Sequence, residues 1–199
     1  VSGGEIRIAL ENGFIPSRIV YAGVGKSDAE IDYALDVEIG CFNVESLEEL
    51  EVIAERAKRK GKKAPVALRV NPEIDAHTHH FITTGLAENK FGIPMSLLDE
   101  AVAYASGNDS LDLRGLHFHI GSQVTIAEPF VLLSQRINEL QKKYEAMGVK
   151  FATINVGGGL GIDYEDPDRN PIPDFKSYFE AFAENLDIRS GQEIPFELG

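Results

Sequence analysis

The sequence predicts an α/β fold with a parallel sheet, of the (β/α)8-barrel type, in which about six of the eight strands are present. Short apolar runs alternate strictly with longer amphipathic segments along the 199 residues, as parallel strands alternate with crossover helices. Polar residues lie at or just beyond the carboxyl end of each run, and a barrel directs all these ends to one mouth. An open doubly wound sheet would instead concentrate its site at one switch point.

Helix starts are marked by Ser or Thr with Glu or Asp three residues later, the spacing of a capping box. This spacing occurs at Ser2, Ser27, Ser46, Ser96 and Thr125. Apolar residues recur every three or four positions over 47–57, 130–147 and 175–186, which predicts three amphipathic helices with core-facing stripes. The stripe of the last helix consists of Phe175, Phe179, Phe182 and Leu186. Gly61 and Gly148 follow the first two helices and predict their ends.

Six short apolar runs between the helices predict buried strands. They cover residues 19–22, 41–44, 66–70, 115–120, 151–156 and 194–197. The longest irregular stretch, 71–94, follows a strand, where functional loops are usually found.

Composition excludes several classes of function. The chain has 19 Lys and Arg against 32 Asp and Glu, a formal net charge of −13. This charge repels nucleic-acid phosphates and anionic lipids, so we expect neither as a partner. The single cysteine, Cys41, excludes an internal disulfide framework and fits a reducing compartment. No apolar run is long enough to span a membrane, and we expect a cytoplasmic protein.

Two features outside the helices point to a bound ligand. Gly157, Gly158 and Gly159 follow a predicted strand and can present backbone N–H groups to a phosphate, the alternative being a flexible turn. Their spacing does not fit G-x-G-x-x-G, so no dinucleotide fold is predicted. Glu197 lies on an apolar strand, where a buried carboxylate needs a cation such as a protonated ring nitrogen or an arginine. Backbone amides around a core-edge carboxylate are the structural alternative.

His117 and His119 lie two residues apart on a predicted strand, and therefore on one face of the sheet. They could be the H-x-H pair of a metal-dependent barrel hydrolase, a structural pair, or part of an active site without metal. No histidine follows His119, and Asp163 is the first aspartate near a later strand end. We therefore predict no metal ligands.

Taken in order along the chain, these motifs resemble those of the fold-type III pyridoxal-phosphate decarboxylases. The matching segments are 1–5, 43–46, 69–72, 84–86, 88–92, 115–123 and 155–161. The 88–92 segment, and Gln123 after Gly121-Ser122, are most similar to the branch that converts meso-2,6-diaminopimelate to L-lysine and CO2. The alternatives are a branch acting on ornithine, arginine or carboxynorspermidine, a metal-dependent hydrolase, and a non-catalytic barrel that binds a phosphate ligand.

The resemblance implies a role for each candidate residue. His119 would stack on the pyridine face of pyridoxal 5′-phosphate, and Ser122 with the three glycines would hold its phosphate. Glu197 would pair with the pyridinium nitrogen and strengthen the cofactor as an electron sink. Arg69 would lie near the ring. An amino-acid substrate and a homodimeric full-length enzyme are also implied.

The resemblance further implies that 1–199 is a single partial barrel domain. The family's Schiff-base lysine belongs to a strand upstream of Val1, so no catalytic residue is expected in the chain, and neither Lys26 nor Lys90 matches its motif. The C-terminal β domain, with the cysteine motif that completes the partner's active site, is expected beyond Gly199. The family's E-P-G-R motif corresponds here to Glu197-Leu198-Gly199, with leucine in place of the proline. The isolated chain is expected to be inactive.

Overall fold

The computed structural model describes residues 1–74, 91–164, 166 and 174–197. Two compact units are present, Val1–Val70 with Phe91–His117, and Asn71–Lys90 with Phe118–Gly199. Most of the predicted functional loop, the 84–86 motif, part of the 88–92 motif, Lys90 and Leu198-Gly199 lie outside the described residues.

The described helices and strands alternate along the chain as predicted. The helices are α1 (Gly3–Glu11), α2 (Asp28–Asp36), α3 (Leu47–Arg59), α4 (Leu98–Gly107), α5 (Glu128–Ala146) and α6 (Phe175–Asn185). The strands are β1 (Val20–Tyr21), β2 (Cys41–Val44), β3 (Ala64–Asn71), β4 (Ile93–Pro94), β5 (Leu111–Phe118) and β6 (Thr153–Asn155). The two-residue strand β4 was not predicted.

The first unit contains a sheet in the order β1-β2-β3-β5, with β4 paired to β3. The β1–β2 and β2–β3 pairs are parallel, and Val20 lies opposite Cys41 while Asn43 lies opposite Ala67. Neighbouring helices in this unit pack on each other, α1 on α2, α2 on α3 and α3 on α4. Phe42 is fully buried. The predicted parallel α/β arrangement is therefore confirmed in this unit.

The second unit packs α5 against α6 around an aromatic cluster. The Phe130 and Tyr178 rings meet edge to face at 4.8 Å, and Phe182 and Phe196 pack against Tyr178. The predicted stripe of α6 was partly wrong, because Phe175 and Phe179 are 40% and 39% exposed. Tyr178 is buried in their place, since its hydroxyl finds a buried acceptor in the Gly157 carbonyl.

Three of the five predicted helix caps are confirmed. Ser2 and Ser46 accept hydrogen bonds from the amides of the residues three positions later, and Ser27 completes a reciprocal capping box. The predicted caps at Ser96 and Thr125 are wrong. The first of these two helices begins after Leu97, and the second begins after Ala127 with a proline in its first turn. Proline has the φ of a helical first turn and lacks the N–H that would need a cap.

The predicted strand 194–197 is also wrong as a regular strand, although its backbone runs beside β6. The Ile154 and Val156 amides donate to Glu193 and Pro195 carbonyls at 2.9 and 3.1 Å, and the Glu197 amide donates to the Gly157 carbonyl at 2.9 Å. Proline has no N–H to donate back to β6, so the hydrogen-bond ladder is interrupted at Pro195.

Among the helices that the structure describes, none has the length and apolar character needed to span a membrane.

Gly40, just before β2, lies against the 3₁₀ turn Pro16–Arg18. Its amide donates to the Pro16 and Ile19 carbonyls at 3.0 and 2.9 Å. A Cβ atom at this position would collide with the Ser17 carbonyl oxygen and lie 2.8 Å from its carbon. The packing of the 3₁₀ turn against the start of β2 therefore requires a residue without a side chain at position 40.

Gly40→Ala is expected to lower the free energy of unfolding by about 2 kcal/mol, because the backbone of the turn must move away from the added methyl group. Gly107→Ala is the matched control, since a Cβ at Gly107 meets no atom within 4 Å. Chemical denaturation of the full-length protein measures both. Equal stability of the two variants would contradict the packing described for Gly40.

Candidate functional site

The three consecutive glycines follow β6 and form a tightly packed segment. Gly157 and Gly159 have φ angles of +72° and +100°, which favour glycine. A side chain would collide with a backbone carbonyl oxygen at each position, that of Phe118 at Gly157, Glu197 at Gly158 and Gly121 at Gly159. The segment is therefore not a flexible turn, because neighbouring backbone occupies the space of three side chains.

This packing brings six of the seven predicted site residues together within the second unit. They are His119, Ser122, Gly157, Gly158, Gly159 and Glu197. A Cβ placed on Gly157 would lie 3.1 Å from His119 Cα, and one on Gly158 would lie 3.4 Å from Glu197 Cβ. A Cβ on Gly159 would lie 3.9 Å from Ser122 Cα. Their proximity follows from the fold, whereas their roles remain predictions.

Two backbone amides of this segment remain available to a ligand. The Gly157 amide donates to Asn155 Oδ1 at 2.8 Å. The amides of Gly158 and Gly159 form no hydrogen bond with another residue in the described ranges. Adjacent N–H groups with an exposed serine nearby, here Ser122, form the kind of donor set that binds a phosphate.

Glu197 is exposed, which corrects the prediction of a buried carboxylate. The residue lies past the end of β6 and beside Gly157 and Gly158, which have no side chains to cover it. Asn155, which is 7% exposed, donates from Nδ2 to Glu197 Oε1 at 3.0 Å. The carboxylate is thus oriented by a buried amide while remaining open to solvent and to a ligand.

Gln123 connects the loop after β5 to the glycine segment. Its backbone is in the left-handed region, at φ +59°, and its Oε1 accepts from the Ile162 amide at 2.9 Å. Next to it, the Val124 amide donates to the Gly159 carbonyl at 2.8 Å, and the Gly161 amide donates to the Val124 carbonyl at 3.0 Å. Sequence reasoning used Gln123 only to distinguish branches of a family, and its structural role was missed.

Arg69, the seventh predicted residue, lies in the first unit and is paired with a buried carboxylate. Its Nη1 is 2.9 Å from both oxygens of Glu45, which is 6% exposed. Its guanidinium carbon lies 5.7 Å from the centroid of the Phe91 ring. These contacts fix Arg69 at the carboxyl end of β3.

Lys26 is a buried structural cation in the same unit. Its side chain is 1% exposed, and its Nζ donates to the carbonyls of Gly23 and Asn43 and to Glu49 Oε1, at 2.7, 2.8 and 2.7 Å. An ammonium group has three N–H donors, and all three are used. The Lys26 ammonium is therefore fully engaged within the protein. Burial raises the pKa of Glu49, and the attraction of Lys26 opposes that shift.

The two histidines differ in environment: His117 lies in β5 and is 2% exposed, whereas His119, which was predicted to lie on the same strand, lies just beyond the end of β5 and is half-buried. Among the residues that the structure describes, no group of three or more His, Cys, Asp or Glu side chains is arranged to hold a metal ion.

A profile of the family described as "Pyridoxal-dependent decarboxylase, pyridoxal binding domain" matches residues 1–197. The curated diaminopimelate decarboxylase of Bacteroides thetaiotaomicron is 54% identical over 199 residues, which are 100% of this chain and 52% of that protein. The chain thus spans about half the length of the curated relatives it matches.

Solved structures show the same similarity. A diaminopimelate decarboxylase variant from Helicobacter pylori, complexed with L-lysine, matches with a TM-score of 0.86 at 39% identity, over 98% of this chain and 50% of that one. Diaminopimelate decarboxylase from M. jannaschii, in co-complex with L-lysine, matches with a TM-score of 0.82 at 33% identity, over 100% of this chain and 47% of that one. The predicted fold class, that of the pyridoxal-phosphate-binding barrels, is confirmed.

Lys26→Met is expected to destabilise the full-length protein by about 3 kcal/mol near neutral pH, because it leaves the buried Glu49 carboxylate without its cation. Removing Lys26 raises the pKa of Glu49 further. A folded carboxyl group with a raised pKa binds protons that the unfolded chain releases, so stability falls as pH rises. The variant should therefore regain part of its lost stability as pH falls toward that raised pKa.

Urea denaturation over a range of pH measures this effect. Lys60→Met is the control, since Lys60 pairs with Asp36 at the surface and its loss should have a much smaller effect. The double variant Lys26→Met/Glu49→Gln should lack the additional pH dependence of stability seen in Lys26→Met, because it has no carboxyl group at position 49. If Lys26→Met is as stable as the unsubstituted protein, the buried Glu49 carboxylate does not need Lys26 as its cation.

Proposed function

The chain belongs to the pyridoxal-dependent decarboxylases, whose pyridoxal binding domain it matches over residues 1–197, and from this premise we propose that the full-length protein decarboxylates meso-2,6-diaminopimelate to L-lysine and CO2. The observation that carries the proposal is the 54% identity, over the whole chain, to the diaminopimelate decarboxylase of Bacteroides thetaiotaomicron. The Helicobacter pylori and M. jannaschii enzymes are recorded with L-lysine, the product of this reaction.

The described residues fit pyridoxal 5′-phosphate, the cofactor that family membership implies. The cofactor supplies an electron sink for the electrons left on the substrate when CO2 departs. The Gly158 and Gly159 amides, with the Ser122 hydroxyl, would bind its phosphate, because they form a compact set of hydrogen-bond donors. The rigid packing of the glycines keeps these donors in place before the ligand arrives.

Three side chains would act on the cofactor ring. The Glu197 carboxylate is exposed and oriented by Asn155, so it can accept a hydrogen bond from a protonated ring nitrogen and stabilise that charge. His119, half-buried beside Gly157, would pack on the ring face. A role for Arg69 near the ring is proposed from the family resemblance alone, and within its own unit Arg69 is held by two contacts with Glu45.

The alternatives are less well supported. An arginine decarboxylase from a Chlorella virus and a lysine/ornithine decarboxylase from Vibrio vulnificus match at 22% and 19% identity, which shows the shared fold alone. Family membership favours a decarboxylase over a metal-dependent hydrolase or a non-catalytic binding protein.

We further infer that residues 1–199 are part of one pyridoxal-binding barrel domain, because a single family profile matches nearly all of them. A homodimeric full-length enzyme and a cytoplasmic location are proposed from the family resemblance. Sedimentation of the full-length protein would test the dimer, and cell fractionation would test the location.

The purified full-length protein, supplied with pyridoxal phosphate, should release CO2 and L-lysine from meso-2,6-diaminopimelate, with far lower rates on ornithine and arginine. Trapping of labelled CO2 and chromatography of the product measure this activity. If the protein turns over ornithine or arginine faster than diaminopimelate, that amino acid would replace diaminopimelate as the proposed substrate. Cofactor binding without any decarboxylation would contradict the enzymatic proposal itself.

Glu197→Gln should lower kcat by about 100-fold, since a neutral amide cannot balance a positive ring nitrogen. Glu193→Gln is the matched control, because Glu193 is exposed on the same segment and its backbone, rather than its side chain, bridges to β6. Steady-state rates on diaminopimelate compare the two variants. Equal kcat values for Glu197→Gln and Glu193→Gln would show that Glu197 has no role in the proposed site.

A further inference from the structure

Asn155 is the last residue of β6, and it takes part in a closed ring of three hydrogen bonds. Its Oδ1 accepts from the Gly157 amide at 2.8 Å, and its Nδ2 donates to Glu197 Oε1 at 3.0 Å. The Glu197 amide donates to the Gly157 carbonyl at 2.9 Å and closes the ring. The side chain of Asn155 thus contacts both the glycine segment and the acid.

The chemistry of the ring requires an amide side chain at this position. One partner of Asn155 is a backbone donor and the other is a carboxylate acceptor, so the residue between them must accept on one side and donate on the other. A carboxamide does both, whereas an ionised aspartate could only accept and would repel Glu197. Asn155 is 7% exposed, so loss of either bond would leave a buried polar group without its partner.

The ring is further stabilised by Tyr178, whose hydroxyl donates to the Gly157 carbonyl at 3.4 Å. Burial, together with the charge of Glu197, raises the pKa of Tyr178 to about 12, so the phenol stays protonated and remains a donor. The Gly157 carbonyl therefore accepts two hydrogen bonds, and both of its backbone polar groups are engaged. This fixes the direction in which the next two residues, Gly158 and Gly159, extend.

We propose that Asn155 is a positioning residue that couples the phosphate-binding side of the site to the ring-binding side. It orients the exposed Glu197 carboxylate through its Nδ2 donor, and it fixes the start of the segment that carries the Gly158 and Gly159 amides. The inference rests on the proposed cofactor site. It adds that the acid and the glycine segment act as one unit through a residue that does not itself touch the cofactor.

Asn155→Asp separates the two contacts, because it keeps an acceptor for Gly157 and loses the donor to Glu197. In the full-length protein, its affinity for pyridoxal phosphate should fall about tenfold, the effect of losing a hydrogen bond to a charged group. The visible circular dichroism of the bound cofactor should change as well. In the apoprotein, hydrogen exchange at Gly157 should stay slow in Asn155→Asp and become about tenfold faster in Asn155→Ala.

The double variant Asn155→Asp/Glu197→Gln restores the hydrogen bond with its direction reversed. Its cofactor affinity should equal that of Glu197→Gln alone, whereas a merely structural role of Asn155 predicts that the two losses add. Asn138→Asp is the matched control. Asn138 also bridges two groups, the Asn185 carbonyl and the Asp187 amide, each at 2.8 Å, and its change should leave cofactor affinity and dichroism unaltered.

Additive losses in the double variant, or an unchanged affinity and dichroism in Asn155→Asp, would overturn the inference. Rapid exchange at Gly157 in the unsubstituted apoprotein would overturn the hydrogen-bonded ring without using the cofactor. Failure of the unsubstituted protein to bind pyridoxal phosphate would instead overturn the proposed function, and the exchange measurement distinguishes the two results.

Discussion

Close contact between backbone segments at Gly157, Gly158 and Gly159 is the constraint on which the candidate site depends. Each glycine faces a backbone carbonyl oxygen, Gly157 and Gly159 those of Phe118 and Gly121 and Gly158 that of Glu197, so no side chain can be added without moving a neighbouring segment. The contact places the loop after β5, the end of β6 and the 193–197 segment beside one another. It also leaves Glu197 uncovered, because the residues next to it have no side chains to bury it.

Charged groups organise the first unit in a different way. Glu45 and Glu49 are both poorly accessible, and each has its own cation, Arg69 for the first and Lys26 for the second. The Glu45 amide also donates to Glu49 Oε2 at 3.0 Å, which connects the two pairs through the backbone. Since a buried charge without a partner is strongly destabilising, these pairs constrain the ends of β2 and β3. Lys26 and Arg69 are therefore both held by carboxylates at these strand ends.

The proposed chemistry places different demands on the two kinds of site residue. Phosphate binding needs donors that are already oriented, and backbone amides in a segment that cannot relax meet that demand at little entropic cost on binding. Stabilisation of a ring cation needs a carboxylate that is accessible yet oriented, and Glu197 is both exposed and held by the Asn155 contact. Both demands are met by interactions formed within the protein before a ligand is present.

The sequence by itself determined the α/β alternation, the helices at 47–57 and 130–147, and the caps at Ser2, Ser27 and Ser46, because periodicity and capping are local properties. The residues that gather around the glycine segment were expected from the family resemblance. Tertiary structure decided the rest. Burial of Tyr178, exposure of Glu197 and the hydrogen bond between Asn155 and Glu197 each depend on partners about 20 to 40 residues away. A local pattern specifies the residue type at such a position, whereas its environment is set by which distant backbone packs against it.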